Sequence, residues 1–188
     1  MNLESALRFS HTLLAQAVQP GDTVIDATVG NGNDTIYLAS AVGKTGRVFG
    51  FDVQESALKE TQTQLTLTGL TAQTTLIHDG HEHIEHHVPE DTQLAAAIFN
   101  LGYLPGSDKS VITHGKTTIA AISQCLSLLV RGGLVIVVSY YGHPGGQDEL
   151  AQLQRYLKGL PQKQFQVLTY QFINQQNEPP ILFAIQKR

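Results

Sequence analysis

A glycine-rich turn between an apolar run and a helical segment is the part of this sequence best suited to hold a ligand. Val24 and Ile25 form the apolar run, Asp26 ends it, and Gly30 and Gly32 lie in the polar turn that follows. Where Cβ is absent the backbone can approach a bound molecule, and N–H groups at the start of the next helix point towards it. The turn therefore predicts a ligand-binding crevice.

A second acidic residue lies where such a crevice needs one. Residues 46–52 form another apolar run that ends at Asp52, about 20 residues beyond the turn, where related folds place a ribose-binding carboxylate. A carboxylate suits this role because it can accept hydrogen bonds from two hydroxyls at once. The turn, however, has Thr28 where the dinucleotide fingerprint has its first glycine. The pattern predicts a nucleoside-containing ligand without fixing its class.

A run of histidines raises the question of a metal site. Its members are His78, His81, His83, His86 and His87. His83 and His87 lie four residues apart and so share one face of a helix, as two metal ligands could. Acidic residues interleave with the histidines, and no cysteine completes a known ligand spacing. We predict a solvated helix face and no metal.

The composition is that of a globular protein. The chain has 188 residues, 41% hydrophobic and 15% charged, which suits one domain over 1–188 with a sizeable core. No apolar run is long enough to span a membrane, and the first residues lack the layout of a signal peptide. The net charge of -4 argues against broad non-specific binding of nucleic acid. With Cys125 as the single cysteine, we predict a cytoplasmic protein without membrane contact.

Apolar and helical segments alternate along the chain. An amphipathic leading helix is predicted within 1–20. We predict strands at about 23–27, 47–52, 74–77, 94–99, 134–139, 164–172 and 181–186, and further helices at about 33–42, 56–68, 119–129 and 147–158. Residues 101–115 are predicted to form a loop, and 131–133 a tight turn. Five strands alternating with helices, then a hairpin-like pair, predict an α/β fold with a doubly wound parallel sheet.

Five segments of the chain carry a resemblance to a known family. They are 26–35, 51–54, 79–81, 100–106 and 142–146, and they follow the family's order. The sequence resembles the class I S-adenosylmethionine-dependent methyltransferases. More narrowly, it is similar to a small bacterial family whose characterised members N-methylate 5-aminomethyl-2-thiouridine at the wobble position of tRNA. The resemblance covers essentially the whole chain. It implies a single Rossmann-like domain with helices on both faces of a seven-stranded, mostly parallel sheet whose last strand is antiparallel.

The resemblance also implies S-adenosylmethionine as the cofactor and a set of contacts to it. Gly30 and Gly32 are expected to let the backbone approach its methionine part. Asp52, with Gln54 beside it, is expected to bind the ribose hydroxyls. Asp79 is expected to accept a hydrogen bond from the exocyclic amine of adenine. The other residues expected near the cofactor are Asp26, Asn31, Asn33, Asp34, Thr35, Gly80 and His81.

The segment after the fourth strand is expected to hold the reacting groups. Asn100 offers a carbonyl oxygen that can accept a hydrogen bond from an attacking N–H, and the backbone carbonyls of Leu101 and Gly102 could do the same. Tyr103 could stack on an extruded base. We therefore predict Asn100 and Tyr103 as catalytic residues, within a substrate loop over 101–115.

Residues after the fifth strand, together with two lysines, complete the predicted site. Tyr140, Tyr141 and His143 are expected to face the same crevice, with His143 as the candidate for taking a proton from the substrate. Lys109 and Lys116 flank the predicted reaction segment and could contact phosphates. The expected partner is the anticodon stem-loop of tRNA, and a homodimer would widen the RNA surface of so compact a chain.

Two alternative functions stay open at this point. A methyltransferase of the same fold could act on rRNA or on a small amine, because the chain is not basic overall. A NAD-binding oxidoreductase or a non-catalytic nucleotide-binding protein belongs to another class. Thr28 in the turn and the segment 100–106 argue against a dehydrogenase.

Overall fold

The computed structural model describes residues 3–102 and 114–188. One seven-stranded sheet has the order β3-β2-β1-β4-β5-β7-β6. The strands are β1 (Thr23–Asp26), β2 (Arg47–Asp52), β3 (Thr74–His78), β4 (Leu94–Leu101), β5 (Leu129–Ser139), β6 (Phe165–Tyr170) and β7 (Ile181–Lys187). The helices are α1 (Ala6–Ala17), α2 (Asn33–Val42), α3 (Glu55–Thr68), α4 (Ile84–His87), α5 (Gly115–Leu128) and α6 (Gly146–Lys158).

Helices cover both faces of the sheet. On one face, α1, α2 and α3 pack residues such as Leu14, Leu38 and Leu65 into a buried cluster. On the other face, α5 and α6 pack Ile122 and Leu153 into a second cluster. The central strand β4 is apolar and buried over nearly its whole length, as expected for a parallel strand covered on both sides. The predicted α/β fold with a mostly parallel sheet is thereby confirmed.

The last two strands form the predicted hairpin-like pair at the sheet edge, with β7 as the inner strand. β7 pairs antiparallel with β5 on one side and with β6 on the other, so β7 lies inside the sheet. Residues 181–185 of β7 are buried, whereas most of β6 is exposed. The more apolar strand takes the inner position because burial there removes more apolar surface from water.

The predicted turn at 131–133 was wrong in detail. β5 begins at Leu129, which pairs with Leu94, and the register with β4 then shifts before Ala96 pairs with Leu134. Gly132 has φ +83° in this stretch, a conformation that glycine adopts without strain. The glycines therefore form an irregularity within one long strand.

The other boundaries agree with the predictions to within a few residues, and local signals explain them. Ser5 caps α1 by accepting a hydrogen bond from the Arg8 N–H at 3.3 Å. Gly69 ends α3 in the left-handed conformation, with its N–H directed to the carbonyls of Leu65 and Thr66. Within residues 3–102 and 114–188, no helix is both long enough and apolar enough to cross a membrane.

Candidate functional site

A cavity of about 650 Å³ lies at the carboxyl ends of the parallel strands. It is beside β1, whose neighbours are β2 on one side and β4 on the other, where the strand order reverses. Ligands of open α/β sheets bind at this point. The predicted residues that line the cavity are Gly30, Asn31, Asn33, Asp34, Asp52, Gln54, Asp79, Gly80, His81, Asn100, Leu101, Gly102, Tyr140 and His143.

The Asp52 carboxylate is held in place by backbone N–H groups. Its Oδ2 accepts from the Gly30 N–H at 2.8 Å, and its Oδ1 accepts from the Gln54 N–H at 2.8 Å. Each oxygen has a second lone pair, so the fixed carboxylate can accept two more hydrogen bonds. Such a group suits the two hydroxyls of a ribose.

Asp26 stabilises the glycine-rich turn from a buried position. It is fully buried, accepts from the Thr35 hydroxyl at 2.6 Å and from the Thr28 N–H at 3.1 Å, and does not line the cavity. Burial, and next the negative charge of Asp34, raise the pKa of Asp26 to about 7. Asp26 and Thr35 were predicted near the cofactor, and the structure places them in the frame that shapes the turn.

Gly32 is also part of that frame. It begins α2 with φ +76°, and a Cβ at this position would lie 2.6 Å from the Thr61 hydroxyl in α3. Any other residue would therefore meet both backbone strain and a steric clash. Gly32 does not line the cavity, so the structure gives it a role in packing α2 against α3.

Asp34 joins α1 to the end of β4. Its Oδ1 is 2.5 Å from His11 Nε2, and its Oδ2 accepts from Asn100 Nδ2 at 2.6 Å. His11 in turn stacks on Tyr37, with 4.3 Å between the ring centroids. Asp34 is buried, so its carboxylate needs these partners to offset the loss of water.

The contact with Asp34 fixes the orientation of the Asn100 carboxamide. Because Nδ2 donates to Asp34, the acceptor Oδ1 is presented on the other side. The Asn100 N–H is also fixed, since it donates to the Thr28 hydroxyl at 2.8 Å. Asn100 Oδ1 is buried and has no hydrogen-bond partner within the described part of the chain. A buried acceptor of this kind calls for a ligand donor.

His81 presents a second buried acceptor. Its Nδ1 lies 3.1 Å from the Ala27 carbonyl, so Nδ1 carries the proton and donates. Burial lowers the pKa of His81, which keeps the ring neutral and leaves a lone pair on Nε2. Among the residues that the structure describes, none bonds to Nε2.

Asp79 makes contacts that sequence analysis missed. Its Oδ1 accepts from His83 Nδ1 at 2.8 Å, and its Oδ2 accepts from His87 Nε2 at 2.9 Å. These hydrogen bonds, from His87 first and then His83, hold the pKa of Asp79 well below its usual range. Two histidines of the run thus donate hydrogen bonds to the acid at the end of β3. No cluster suited to hold a metal is found in residues 3–102 or 114–188.

Residues at the end of β5 separate into two groups. Tyr140 and His143 line the cavity, as predicted, and partial burial followed by the charge of Asp34 raises the pKa of Tyr140, so its phenol stays protonated. The expectation for Tyr141 was wrong, because its side chain packs against the hydrophobic core beside α6. Neighbouring residues of an extended segment point to opposite sides, which explains the difference.

Of the remaining predicted residues that the structure describes, Lys116 does not line the cavity. Lys116 is exposed near the start of α5, one residue before the cavity-lining Thr117. Tyr103 and Lys109 lie outside the described residues, as does most of the predicted substrate loop over 101–115.

Sequence analysis also missed residues that do line the cavity. They include His11 and Leu7, which both come from α1. They are four residues apart and so share a helix face. That spacing was visible in the sequence, but the partner of His11 is 23 residues away and nothing local pointed to it.

Similarity to known proteins agrees with this geometry. Residues 48–186 match the family described as "Putative rRNA methylase". The chloroplastic tRNA (mnm(5)s(2)U34)-methyltransferase of Arabidopsis thaliana is 35% identical over 192 residues, which cover 98% of this chain and 70% of the relative.

Solved structures give the same result. A chain of the same description from Clostridium thermocellum is 46% identical, with a TM-score of 0.96 and full coverage of both chains. A "putative methyltransferase" from Streptococcus mutans, solved in complex with SAH, is 40% identical, with a TM-score of 0.90 and full coverage of both chains. These similarities overturn the alternative of a NAD-binding oxidoreductase or a non-catalytic nucleotide-binding protein. The chain belongs to the "Putative rRNA methylase" family, within the class I S-adenosylmethionine-dependent methyltransferases.

Proposed function

We propose that this methyltransferase N-methylates the aminomethyl group of 5-aminomethyl-2-thiouridine at the wobble position of tRNA. The observation that carries the proposal is the buried acceptor Oδ1 of Asn100, a cavity-lining residue, which has no hydrogen-bond partner in the described chain. An amine nucleophile supplies the N–H donor that this atom lacks. The name of the Arabidopsis relative, which specifies a tRNA U34 methyltransferase, supports the choice of substrate.

The cavity suits S-adenosylmethionine. When bound, S-adenosylmethionine supplies an electrophilic methyl group on a positively charged sulfonium. Asp52 offers two lone pairs to the ribose hydroxyls, and Nε2 of His81 offers one to an amine donor. A cavity of about 650 Å³ also lies within the size range of ligand sites, roughly 300–1,000 Å³.

Asn100 is proposed to orient the substrate nitrogen. By accepting one N–H, its Oδ1 fixes the direction of the nitrogen lone pair, and Asp34 fixes Oδ1. Correct orientation is the main requirement of this reaction, because methyl transfer moves positive charge between groups and creates little new charge. Large losses are therefore expected when the orienting residues are changed.

The substrate amine must lose a proton before it can react. An alkylamine with a pKa of about 10.4 is neutral in only about one molecule in 2,500 at pH 7. Tyr140 is unsuited as the base, because a raised pKa keeps its phenol protonated. We propose His143 as the proton acceptor, since it lines the cavity and its Nε2 lies 3.8 Å from the ideal Cβ position of Gly102, two residues after Asn100.

Exchange of His143 for Asn tests that role. If His143 takes the proton, turnover falls roughly 100-fold and the dependence of kcat on pH changes. The measurement is initial rates of methyl transfer from pH 6 to 9. Unchanged rates with an unchanged pH profile would remove His143 as the base.

A comparison of acceptors tests the proposed function. The purified protein is incubated with S-adenosylmethionine and, separately, tRNA from a strain lacking the gene, rRNA from the same strain, and small alkylamines. Digested nucleosides and amines are then identified by mass spectrometry. Methylation confined to the wobble nucleoside of tRNA supports the proposal. Methylation of rRNA or of free amines, with tRNA unchanged, would replace it with the corresponding alternative.

A further inference from the structure

The cations of this chain are concentrated at the edge of the sheet that lies far from the cavity. Six of the 12 lysines and arginines belong to the start of β5, the last turn of α6 and the segment after it, and the end of β7. We call these six residues the basic edge: Arg131, Arg155, Lys158, Lys163, Lys187 and Arg188.

Backbone pairing and hydrogen bonds bring these segments together. Lys187 pairs with Phe165 across β7 and β6, and the Arg188 N–H donates to the Gln164 carbonyl at 2.8 Å. Lys187 Nζ donates to the Leu129 carbonyl at 2.6 Å, which ties the end of β7 to the start of β5. The segments that carry Arg131, Lys163, Lys187 and Arg188 therefore meet at one end of the sheet.

The segments that form the basic edge carry no acidic residues of their own. No acidic residue occurs within 129–134, 155–169 or 181–188. Within the described parts of the chain, none of the six cations forms an ion pair, and all except the half-buried Lys187 are exposed. In a protein with a net charge of -4, this region is a local positive field.

A concave surface accompanies the charge. A second cavity of about 440 Å³ lies between α6 and β6 and is lined by Lys158 and Arg188. Three glutamines and Phe165 line it as well. Cations, amide donors and a ring on one concave surface match the phosphates and bases of RNA.

The walls of the catalytic cavity have the opposite charge. Five of its lining residues carry carboxylates, and no lysine or arginine lines it in the described part of the chain. The carboxylates are those of Asp34, Asp52, Asp79, Glu82 and Glu178. Phosphates of a nucleic acid substrate are therefore repelled at the cavity and need a positive surface elsewhere.

We infer that the basic edge binds the phosphate backbone of the RNA substrate at a distance from the methylated nucleotide. The inference rests on the proposed function. β5 runs from the basic edge to the cavity alongside residues 94–101 of β4, which are seven residue steps, so the two sites are roughly 23 Å apart. A second copy of the chain is a poorer partner, because a two-fold interface would place the six cations against their own copies.

The experiment compares two triple variants with the same change in charge. The test variant removes three cations of the basic edge: Arg155→Gln, Lys158→Gln and Lys163→Gln. The matched control removes three exposed cations near β2, which is five strands or roughly 24 Å from β6: Lys44→Gln, Arg47→Gln and Lys59→Gln. Circular dichroism melting checks that both variants are folded.

The probe is an unmodified tRNA transcript, whose binding is measured at salt concentrations from about 50 to 200 mM. Each phosphate contact adds about 0.7–0.9 to the slope of log affinity against log salt. Raising the salt concentration over this range lowers the affinity of both proteins. Because the test variant has lost three contacts, its affinity should fall by a factor that is roughly 20 to 40 times smaller than the factor for the unchanged protein. The control should retain the full salt dependence.

Several outcomes would overturn the inference. One is equal salt dependence in the test variant and the control. Another is loss of self-association in the test variant, seen by sedimentation, with tRNA affinity unchanged, which would assign the surface to a second copy. The proposed function is tested separately, because the transcript lacks the reacting amine. If the protein methylates tRNA while the test variant binds the transcript as the control does, the proposed function stands and this inference is wrong.

Discussion

The contact between Asp34 and Asn100 gives the sharpest prediction. If Asp34 acts by orienting Asn100, replacing either residue with alanine removes the same function. Asp34 Oδ2 accepts from Asn100 Nδ2 at 2.6 Å, a hydrogen bond to a charged group. Such bonds contribute about 1.5–3 kcal/mol, so each single variant should lose roughly 10- to 150-fold in kcat/KM.

A double-mutant cycle separates this mechanism from independent roles. In the variant with both alanines, the loss should stay within about threefold of the larger single loss, because Asp34 has nothing left to orient. Independent roles would multiply the two losses. The assay is the initial rate of methyl transfer from labelled S-adenosylmethionine to tRNA, with melting temperature as a check on folding.

Binding of S-adenosylhomocysteine is the control for this cycle. Calorimetry should give a Kd for the Asp34→Ala variant within about threefold of the unchanged protein, because both Asp34 oxygens are bonded to other residues of the chain. Multiplicative losses of kcat/KM, or a loss of affinity as large as the loss of rate, would refute the orienting role. The second result would return Asp34 to the set of cofactor-binding residues.

Three more predictions concern the frame of the cavity. Asp52→Asn should weaken S-adenosylhomocysteine binding roughly 10- to 150-fold in calorimetry, because an amide nitrogen must then face a backbone N–H donor; an affinity within twofold would contradict the ribose role. Gly32→Ala should lower the melting temperature more than the control Gly69→Ala, because both sites have positive φ but only Gly32 would place a Cβ 2.6 Å from the Thr61 hydroxyl. Equal losses would show that Thr61 accommodates the methyl group. Asp26→Asn should flatten the pH dependence of stability. Folding raises the pKa of Asp26 from 3.8 to about 7. The buried carboxyl therefore lowers stability as the pH increases from about 4 to 7, and causes no further loss above pH 7. Parallel curves of melting temperature against pH for the variant and the unchanged protein would disprove this.

The ends of strands were predictable because neighbouring residues in the sequence determine each of them. Asp26, Asp52 and Asn100 each follow an apolar run, and parallel strands bring such residues to one edge of a sheet. Their residue types were sufficient to place the ligand there. The same reasoning placed His143 after β5, where it lines the cavity.

Contacts between distant residues were not predictable in this way. The partner of Asp34 in α1 is His11, and no local pattern joins the two. Asp79 was assigned to adenine from the family resemblance, and the sequence could not show that His83 and His87 also donate hydrogen bonds to it. The positions of β6 and β7 within the sheet were not predictable for a similar reason, since their order depends on relative burial across the whole fold.

The position of the transferred methyl group tests the central claim most directly. The protein is incubated with S-adenosylmethionine carrying a deuterated methyl group and with tRNA that contains 5-aminomethyl-2-thiouridine. Fragmentation of the product nucleoside by mass spectrometry then locates the label. We predict that all of it lies on the nitrogen of the aminomethyl group, since Asn100 Oδ1 accepts from that N–H. Label on the uracil ring, on the ribose or on another nucleoside would contradict the account.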